Sequence, residues 1–363
     1  MTTTTLAAVS YSPDRPLEIE EVHLDPPGPG EVQVRVAATA ICHSDMSFFD
    51  GSWGALEPAV FGHETAGVVS AVGAGVSTVA PGDSVVVTLV RYCGECFFCQ
   101  AGEPTFCAAR FPLDEETRLH RPDGAPLGQG LKVGGFAGEV VAHSSQVIPV
   151  PSDLAPDLAS LLACGVLTGV GAVTRTARVE PGMVVAVIGV GGVGLNVVQG
   201  ARIAGAARIV AIDLAASKLE AAVSFGATDT VDAGVAVDQV RELTDGRGAD
   251  VVFVAAGSGR AIDSGLAMTR RGGSLCVVGM PANGVATELE LGYLAAAGQR
   301  IIGSKMGSAI PSVDIPWLVS LHAEGRLDLE NLVTRSYPLI DIATAVAEVR
   351  SGGALRNVIS FSD

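Results

Sequence analysis

The sequence predicts an α/β chain of two domains, a β-rich and partly barrel-like one and a doubly wound parallel sheet, and three observations carry that prediction. The chain has 363 residues, about twice the length of a typical single domain. From Glu31 to about Val150, short β-rich runs are broken by Gly and Pro. After Pro151 the pattern changes to Ala-rich helical stretches alternating with apolar strands.

In the first part the runs are "EVQVRVAATA", "AGVVSAVGAGV", "GDSVVVTLV" and "AGEVVAHSSQVIPVP". Their close spacing, with turn residues between them, is the pattern of an antiparallel and partly closed domain. From Leu158 onward "VVAVIG", "RIVAID", "DVVFVAA" and "SLCVVG" alternate with helical stretches. That alternation implies βαβ units and a parallel sheet covered by helices. Beyond Gly303 the sequence predicts a helix around "PWLVSLHAEG", another at "DIATAVAEVRSGG" and a strand at "NVISFS", a tail able to return to the first domain. The expected division is 1–160 with 303–363 for the catalytic domain, including a cysteine-rich lobe at 91–109, and 161–302 for the second domain.

Composition excludes several classes of function. With 48% hydrophobic and 17% charged residues the chain is globular. A net charge of −16 without any Lys/Arg run argues against a nucleic-acid partner. The first fourteen residues hold no Lys or Arg and no sustained apolar stretch, so a secretory signal is not expected and a reducing, cytoplasmic setting is. Pro181 to Ala201 is uncharged for 21 residues, long enough to span a bilayer. Its six glycines point instead to a buried strand, a tight turn and a helix, and no membrane partner is expected.

Four of the seven cysteines, Cys93, Cys96, Cys99 and Cys107, fall inside "YCGECFFCQAGEPTFC" with spacing C-x2-C-x2-C-x7-C. Short loops of this kind wrap their sulfurs around one ion, and four thiolates favour a closed, tetrahedral, structural zinc. An iron–sulfur cluster is the main competitor, because its ligands share the C-x2-C-x2-C pattern. Disulfides conflict with the reducing compartment.

A second set of ligands is scattered. "ICHSD" holds Cys42, "GHE" holds His63, and "LLACGVLTG" holds Cys164. Two sulfurs and an imidazole from three distant segments form the donor set of a catalytic zinc that keeps its fourth position open. Taken singly, Cys164 also fits a core cysteine, as Cys276 does. His23, His120, His143 and His322 lack such neighbours and are expected to be surface or structural.

The stretch "VVAVIGVGGVGLNVVQGARIAGAARIVAID" begins as a strand, turns through Gly189, Gly191 and Gly194, continues as a helix and ends a second strand at Asp213. The glycines permit a tight turn, close approach of backbone to a pyrophosphate and close helix packing, while the helix N-terminus faces the phosphates. Asp213 can accept hydrogen bonds from ribose hydroxyls and would repel a 2′-phosphate, and Leu214 offers no positive charge. NAD is therefore expected over NADP, against the alternative of a merely solvated strand-end carboxylate.

With these motifs in order, the chain resembles the zinc-dependent medium-chain alcohol dehydrogenase family along nearly its whole length, through "GHETAGVVSAVGAGVSTVAPGDSVV", the four-cysteine lobe, "CGVLTGVGA" and "GVGGVG". The resemblance implies a GroES-like catalytic domain and a Rossmann domain, with two zinc ions per chain and NAD. It implies that Cys42, His63 and Cys164 bind the catalytic zinc, that Glu64 binds it transiently, and that Asp45 orients His63. Ser44 matches the hydroxyl that takes the alcohol proton, and His43 the basic residue near the pyrophosphate. Gly192 belongs to the phosphate loop, Asp213 and Lys218 match the ribose-binding pair, Val193 and Thr168 lie near the nicotinamide, and Arg356 resembles a pyrophosphate-binding arginine. The implied partner is a small alcohol or aldehyde, and the implied assembly a homodimer or homotetramer.

Two departures stand out. Ser47 occupies the place where members with a full proton relay often carry histidine. The matching pocket positions, Trp53, Leu89 and Leu131, are apolar, which suits medium-chain, aromatic or terpenoid alcohols better than polyols. Readings beside a dissociable-cofactor dehydrogenase are a member that retains its nicotinamide, one acting on a thiol adduct of formaldehyde, a biosynthetic carbonyl or imine reductase, and a non-catalytic nucleotide-binding protein.

Overall fold

The structure is a computed structural model and describes residues 2–13, 15–54, 56 and 58–361. The chain divides into two units, Met1–Cys164 with Ile310–Gly325 and Leu329–Asp363, and Gly165–Ala309 with Arg326–Asp328.

Among its described residues the first unit holds a five-stranded and a seven-stranded sheet. The strand Glu31–Ala40 is central to the larger one. It pairs antiparallel with Glu64–Val72, with Glu139–His143 and with the C-terminal strand Arg356–Ser360. Covered on both sides, it is buried at nearly every position, including Gln33 and Thr39, rather than on one alternating face. Val32, Val34, Val36, Val69, Val85 and Val87 form one apolar cluster beneath it. Edge strand Val333–Pro338 runs parallel to Arg356–Ser360.

The smaller sheet centres on Thr3–Ser10, paired with Glu18–Leu24 and Ala59–Val60. These N-terminal strands precede the first run legible in the sequence, because "TTTLAAVS" is half threonine and serine and carries no hydrophobic period. The run "AGEVVAHSSQVIPVP" is two strands, Glu139–His143 and Val147–Pro149, with a turn at Ser144–Gln146 where the His143 ring accepts from the Ser145 amide.

In the second unit the described strands form one six-stranded parallel sheet. Across the sheet they run Asp229–Asp232, Arg208–Asp213, Val184–Ile188, Ala249–Val254, Thr269–Val277, Arg300–Gly303. Numbered along the chain this is 3-2-1-4-5-6, the order of a dinucleotide-binding doubly wound sheet. The order reverses beside Val184–Ile188, and ligands of such sheets bind at that reversal, at the strands' C-terminal ends. The uncharged stretch Pro181–Ala201 supplies this central strand and most of the helix Gly192–Ile203, and among the described residues no helix is long and apolar enough to cross a membrane.

The unit boundaries fall a few residues from the expected ones. Residues 161–164 stay with the first unit, because helix Pro156–Leu161 packs on the strands Glu31–Ala40 and Glu64–Val72, and Thr88 Oγ1 donates to Ala163 O at 2.7 Å. Residues 303–309 go to the second, where strand Arg300–Gly303 completes the sheet and Gly307 lies against Gly171. The tail returns to the first unit as helices Pro311–Ala323 and Ile342–Arg350 and strand Arg356–Ser360; Ser362, the last residue of "NVISFS", lies outside the described residues.

The central strand is bulged between Val36 and Ala38, opposite Gly67. A Cβ on Gly67 would meet Arg35 O at 2.1 Å, a backbone atom that cannot swing away. Gly67→Ala should therefore lower stability by about 1 to 3 kcal/mol, visible as a fall in Tm on thermal unfolding; an unchanged Tm would show that the bulge can relax.

Candidate active site

The first candidate centre starts where the central strand stops. Ile41 N donates to Asn357 O at 2.9 Å, and Cys42 then caps the helix His43–Phe49. Asp45, in the first turn of that helix, is fully buried. Its Oδ2 accepts from Cys42 N at 3.0 Å, and its Oδ1 accepts from Gly62 N at 3.1 Å and lies 3.2 Å from His63 Nδ1. One carboxylate thus ties the helix start, the Gly62 turn and the imidazole together. Gly62 has a φ of +89°, and a Cβ there would meet Phe136 N at 2.7 Å, so the turn before His63 requires glycine.

His63 is held through Nδ1, and its other nitrogen, Nε2, is buried without a hydrogen-bond partner among the described residues. Ligand atoms of Cys42, His63, Glu64 and Cys164, all four residues buried, lie within 4.8 Å of one another. Arg356, on the C-terminal strand, reaches them, with Nη1 3.2 Å from Glu64 Oε1 in an ion pair and 3.4 Å from Ile41 O.

The buried groups share protons and charge closely. Two thiols and the carboxyls of Asp45 and Glu64 face one guanidinium and one imidazole at full burial. The hydrogen bond from Cys164, with His63 and Arg356 nearby, pulls the Cys42 thiol well below its ordinary value against the effect of burial, while the same bond and burial push Cys164 well above it. Burial raises Glu64 to about 8, though Arg356 opposes the shift. For His63 burial works downward, but Asp45 and Cys42 outweigh it and raise the imidazole. A divalent cation would take the place of the protons that Cys164, Glu64 and His63 otherwise hold, and two sulfurs, an imidazole nitrogen and a nearby carboxylate are donors that zinc accepts.

Around this centre, Ser44 is half-buried and His43 exposed on the helix's first turn. Ser47 Oγ donates to His43 O at 3.1 Å, so that hydroxyl serves its own helix. Trp53 packs edge-on against Phe48, which stacks on Phe61. Leu89 borders the valine cluster. Leu131 and Lys132 both adopt left-handed backbone, φ 51° and 64°, in a turn that Arg91 and Gln146 hold by donating to Lys132 O at 3.4 and 3.1 Å.

The cysteine lobe has a different character. Its four residues are only partly buried and none of the chain's cysteines forms a disulfide. The sulfur pairs Cys93–Cys99, Cys96–Cys99, Cys96–Cys107 and Cys93–Cys107 are 4.0, 3.6, 3.9 and 3.7 Å apart. Four sulfurs set tetrahedrally at 2.3 Å from one ion would stand about 3.8 Å apart. The lobe therefore fits a single ion; a cubane cluster gives each sulfur its own iron and spreads them further. Amides of Glu95 and Cys96 donate to Cys93 Sγ at 3.4 and 3.3 Å, and Cys93 N to Cys107 Sγ at 3.4 Å. Amide donors from Cys99 and Ala108 lower the Cys96 thiol to about 6. All four ligand positions come from protein, so this site has no place for substrate.

In the second unit, Gly189 leaves the central strand with a φ of +85° and its amide donates to Ile212 O at 2.8 Å. A Cβ on Gly194 would lie 1.9 Å from Gly189 O, whereas one on Gly191 would meet nothing within 4 Å. Gly194 thus answers to packing, while the space beside Gly191 is open. Gly192 begins the helix, buried, and Val193 follows half-buried. Asp213 Oδ2 accepts from Val190 N at 2.9 Å and Oδ1 from Ala215 N at 3.0 Å, so it braces the glycine loop from the neighbouring strand. Lys218 is half-buried in the first turn of helix Ala216–Phe225, and Leu214 is exposed. Thr168 is buried and its Oγ1 donates to Met306 Sδ at 3.6 Å. Met306, Gly307 and Ser308 are left-handed in succession, φ 50°, 65° and 51°. Sequence reasoning missed that turn; only Gly307 hinted at it.

Two family models match, "Alcohol dehydrogenase GroES-like domain" over residues 28–152 and "Zinc-binding dehydrogenase" over 192–324. The chain is 36% identical to putative alcohol dehydrogenase D of Mycobacterium tuberculosis over 365 residues, covering 98% of this chain and 99% of that one. It is 34% identical to the NDMA-dependent alcohol dehydrogenase of Amycolatopsis methanolica over 368 residues, 99% of each. Benzyl alcohol dehydrogenase of Acinetobacter calcoaceticus superposes with a TM-score of 0.93 at 29% identity, covering 99% of this chain and 100% of that one.

Asp45→Asn would keep the shape but lose the charge behind His63. Metal retention at this centre should fall about 10- to 100-fold in chelator competition, with the cysteine lobe unaffected.

Proposed function

This chain belongs to the zinc-dependent medium-chain alcohol dehydrogenase family, and on that premise we propose that it is an NAD-dependent oxidoreductase of apolar, primary or aromatic alcohols and their aldehydes. The observation that carries the reading is the buried quartet of Cys42, His63, Glu64 and Cys164 with the free Nε2 of His63 at its centre. In this proposal Cys42, His63 and Cys164 hold a catalytic zinc, the cysteine lobe holds a structural one, and Glu64, held by Arg356, stands by as a fourth ligand during exchange.

When bound, zinc would lower the pKa of the substrate hydroxyl and NAD would accept the hydride. The chain's own residues supply the rest. Asp45, on Nδ1 of His63, fixes the tautomer that leaves Nε2 as a ligand. Ser44 Oγ takes the hydroxyl proton. Ser47, bonded to its own helix backbone, does not relay it further, and water completes the path to solvent. Amides at the start of helix Gly192–Ile203 receive the pyrophosphate beside Gly191. Asp213 and Lys218 bind the ribose, and the carboxylate disfavours a 2′-phosphate. Val193 and Thr168 border the nicotinamide. Trp53, Leu89 and Leu131 line the substrate pocket, in keeping with the likeness to a benzyl alcohol dehydrogenase. Copies would pair as a homodimer or homotetramer.

A second reading, in which the nicotinamide stays bound and a second substrate regenerates it, draws on the likeness to an enzyme whose name records dependence on a further compound, NDMA. Cofactor carried through purification would select it.

Purified protein mixed with NAD and benzyl alcohol or hexanol should produce reduced-nicotinamide absorbance, with little from NADP or glycerol; turnover confined to polyols would sink the pocket assignment. Ser44→Ala should lower kcat about 100-fold and Ser47→Ala no more than about twofold; comparable losses would overturn the proton path. Metal analysis should return about two zinc ions per chain, and a value near one would favour a non-catalytic nucleotide-binding protein.

A further inference from the structure

The parallel sheet of the second unit has a second candidate site, at the edge opposite its glycine loop. The loop leaves the C-terminal end of Val184–Ile188. At the N-terminal ends of Ala249–Val254 and Thr269–Val277 lies an open groove of 630 Å³ whose lining includes Arg241, Arg247, Arg270, Arg271, Asp250 and Tyr293. A five-residue strand puts the two edges about 16 Å apart.

Four guanidiniums and one carboxylate line this groove, in a chain whose net charge is −16. The carboxylate is already committed. Asp250 Oδ2 accepts from Val184 N at 2.7 Å and Oδ1 from Arg270 Nε at 2.5 Å. Burial pushes its pKa up, but that amide, Arg270 and Arg247 hold it below the ordinary value. Glu242 and Asp245, chain neighbours of Arg241 and Arg247, are exposed and outside the lining. Three guanidinium charges therefore have no compensating acid within the groove.

Backbone carbonyls order three of the four arginines. Arg241 Nη2 donates to Ala267 O at 3.0 Å, Arg270 Nη1 to Arg271 O at 2.7 Å, and Arg271 Nη2 to Ala296 O at 3.3 Å. A guanidinium carries five N–H donors, so each of these retains further donors while its side chain is already ordered. Paired guanidinium donors match phosphate oxygens, several adjacent charges match a polyphosphate better than a single carboxylate, and the half-exposed ring of Tyr293 offers a flat apolar face. From this juxtaposition of four arginines and a tyrosine we infer that the groove binds a polyphosphate anion, inorganic or carried by a nucleoside, at a site separate from the dinucleotide loop.

The test is calorimetric titration of the zinc-loaded protein, saturated throughout with NAD, using sodium tripolyphosphate and ATP in parallel. Each should bind at one site per chain. Arg247→Ala/Arg271→Ala should weaken both by about tenfold or more, while Arg110→Ala/Arg121→Ala, an equal loss of charge in the first unit, should change neither. Tighter ATP binding that disappears in Tyr293→Ala assigns the nucleoside form; equal affinities insensitive to Tyr293 assign the inorganic one. No saturable binding, or binding that both double variants weaken alike, would overturn the site. The two arginines are exposed, and an unchanged Tm separates lost binding from lost fold.

Discussion

The buried carboxylate of Asp45 is the constraint on which the candidate metal centre depends. It sits at zero exposure and is tolerated there because two backbone amides and an imidazole share its charge. The same bonds fix three things that are far apart in sequence, the cap of helix His43–Phe49, the left-handed turn at Gly62 and the orientation of His63. Removing the side chain would release all three together. The Nε2 of His63 is thus positioned by a residue outside the quartet of candidate ligands.

Closure of this centre depends on the end of the chain. Arg356 begins the strand that pairs with Glu31–Ala40, and its guanidinium, buried among Glu64, Cys42 and Cys164, is the permanent positive charge of the group. Burial alone would disfavour that charge, and the facing carboxyl and thiols outweigh it. Asn357, next in the strand, anchors the backbone before Cys42. Beta pairing of remote segments therefore delivers both the strand that fixes Cys42 and the charge that balances Glu64.

The two cysteine-containing centres differ through burial and ligand count. In the lobe, four sulfurs from one loop surround a point near the surface, with backbone amides aimed at them, and the geometry is complete without any outside ligand. In the buried centre, two sulfurs and a nitrogen come from separate segments, and the fourth donor is a carboxylate already shared with an arginine. In the proposed function, that shared carboxylate is the donor that would give way to substrate.

Much of this was legible in the sequence because the chemistry is local. The lobe's cysteines lie within one loop, the glycine loop joins a strand to a helix, and Gly189 and Gly194 are required by turn geometry and contact at short range. The βαβ alternation likewise gave the parallel sheet. Other features were not legible. The N-terminal hairpin lacks a hydrophobic period, Met306 and Ser308 show no left-handed preference, and nothing in the chain pattern sets Arg356 against Glu64 or gathers Arg241, Arg247, Arg270 and Arg271 at one sheet edge. Sequence alone determined which residues could serve as ligands, phosphate turn and ribose acceptor, since those roles follow from side-chain chemistry and short spacing. Tertiary structure decided which of them share a buried space and which charges must balance there, because only long-range strand pairing fixes distances between segments that the chain itself leaves free.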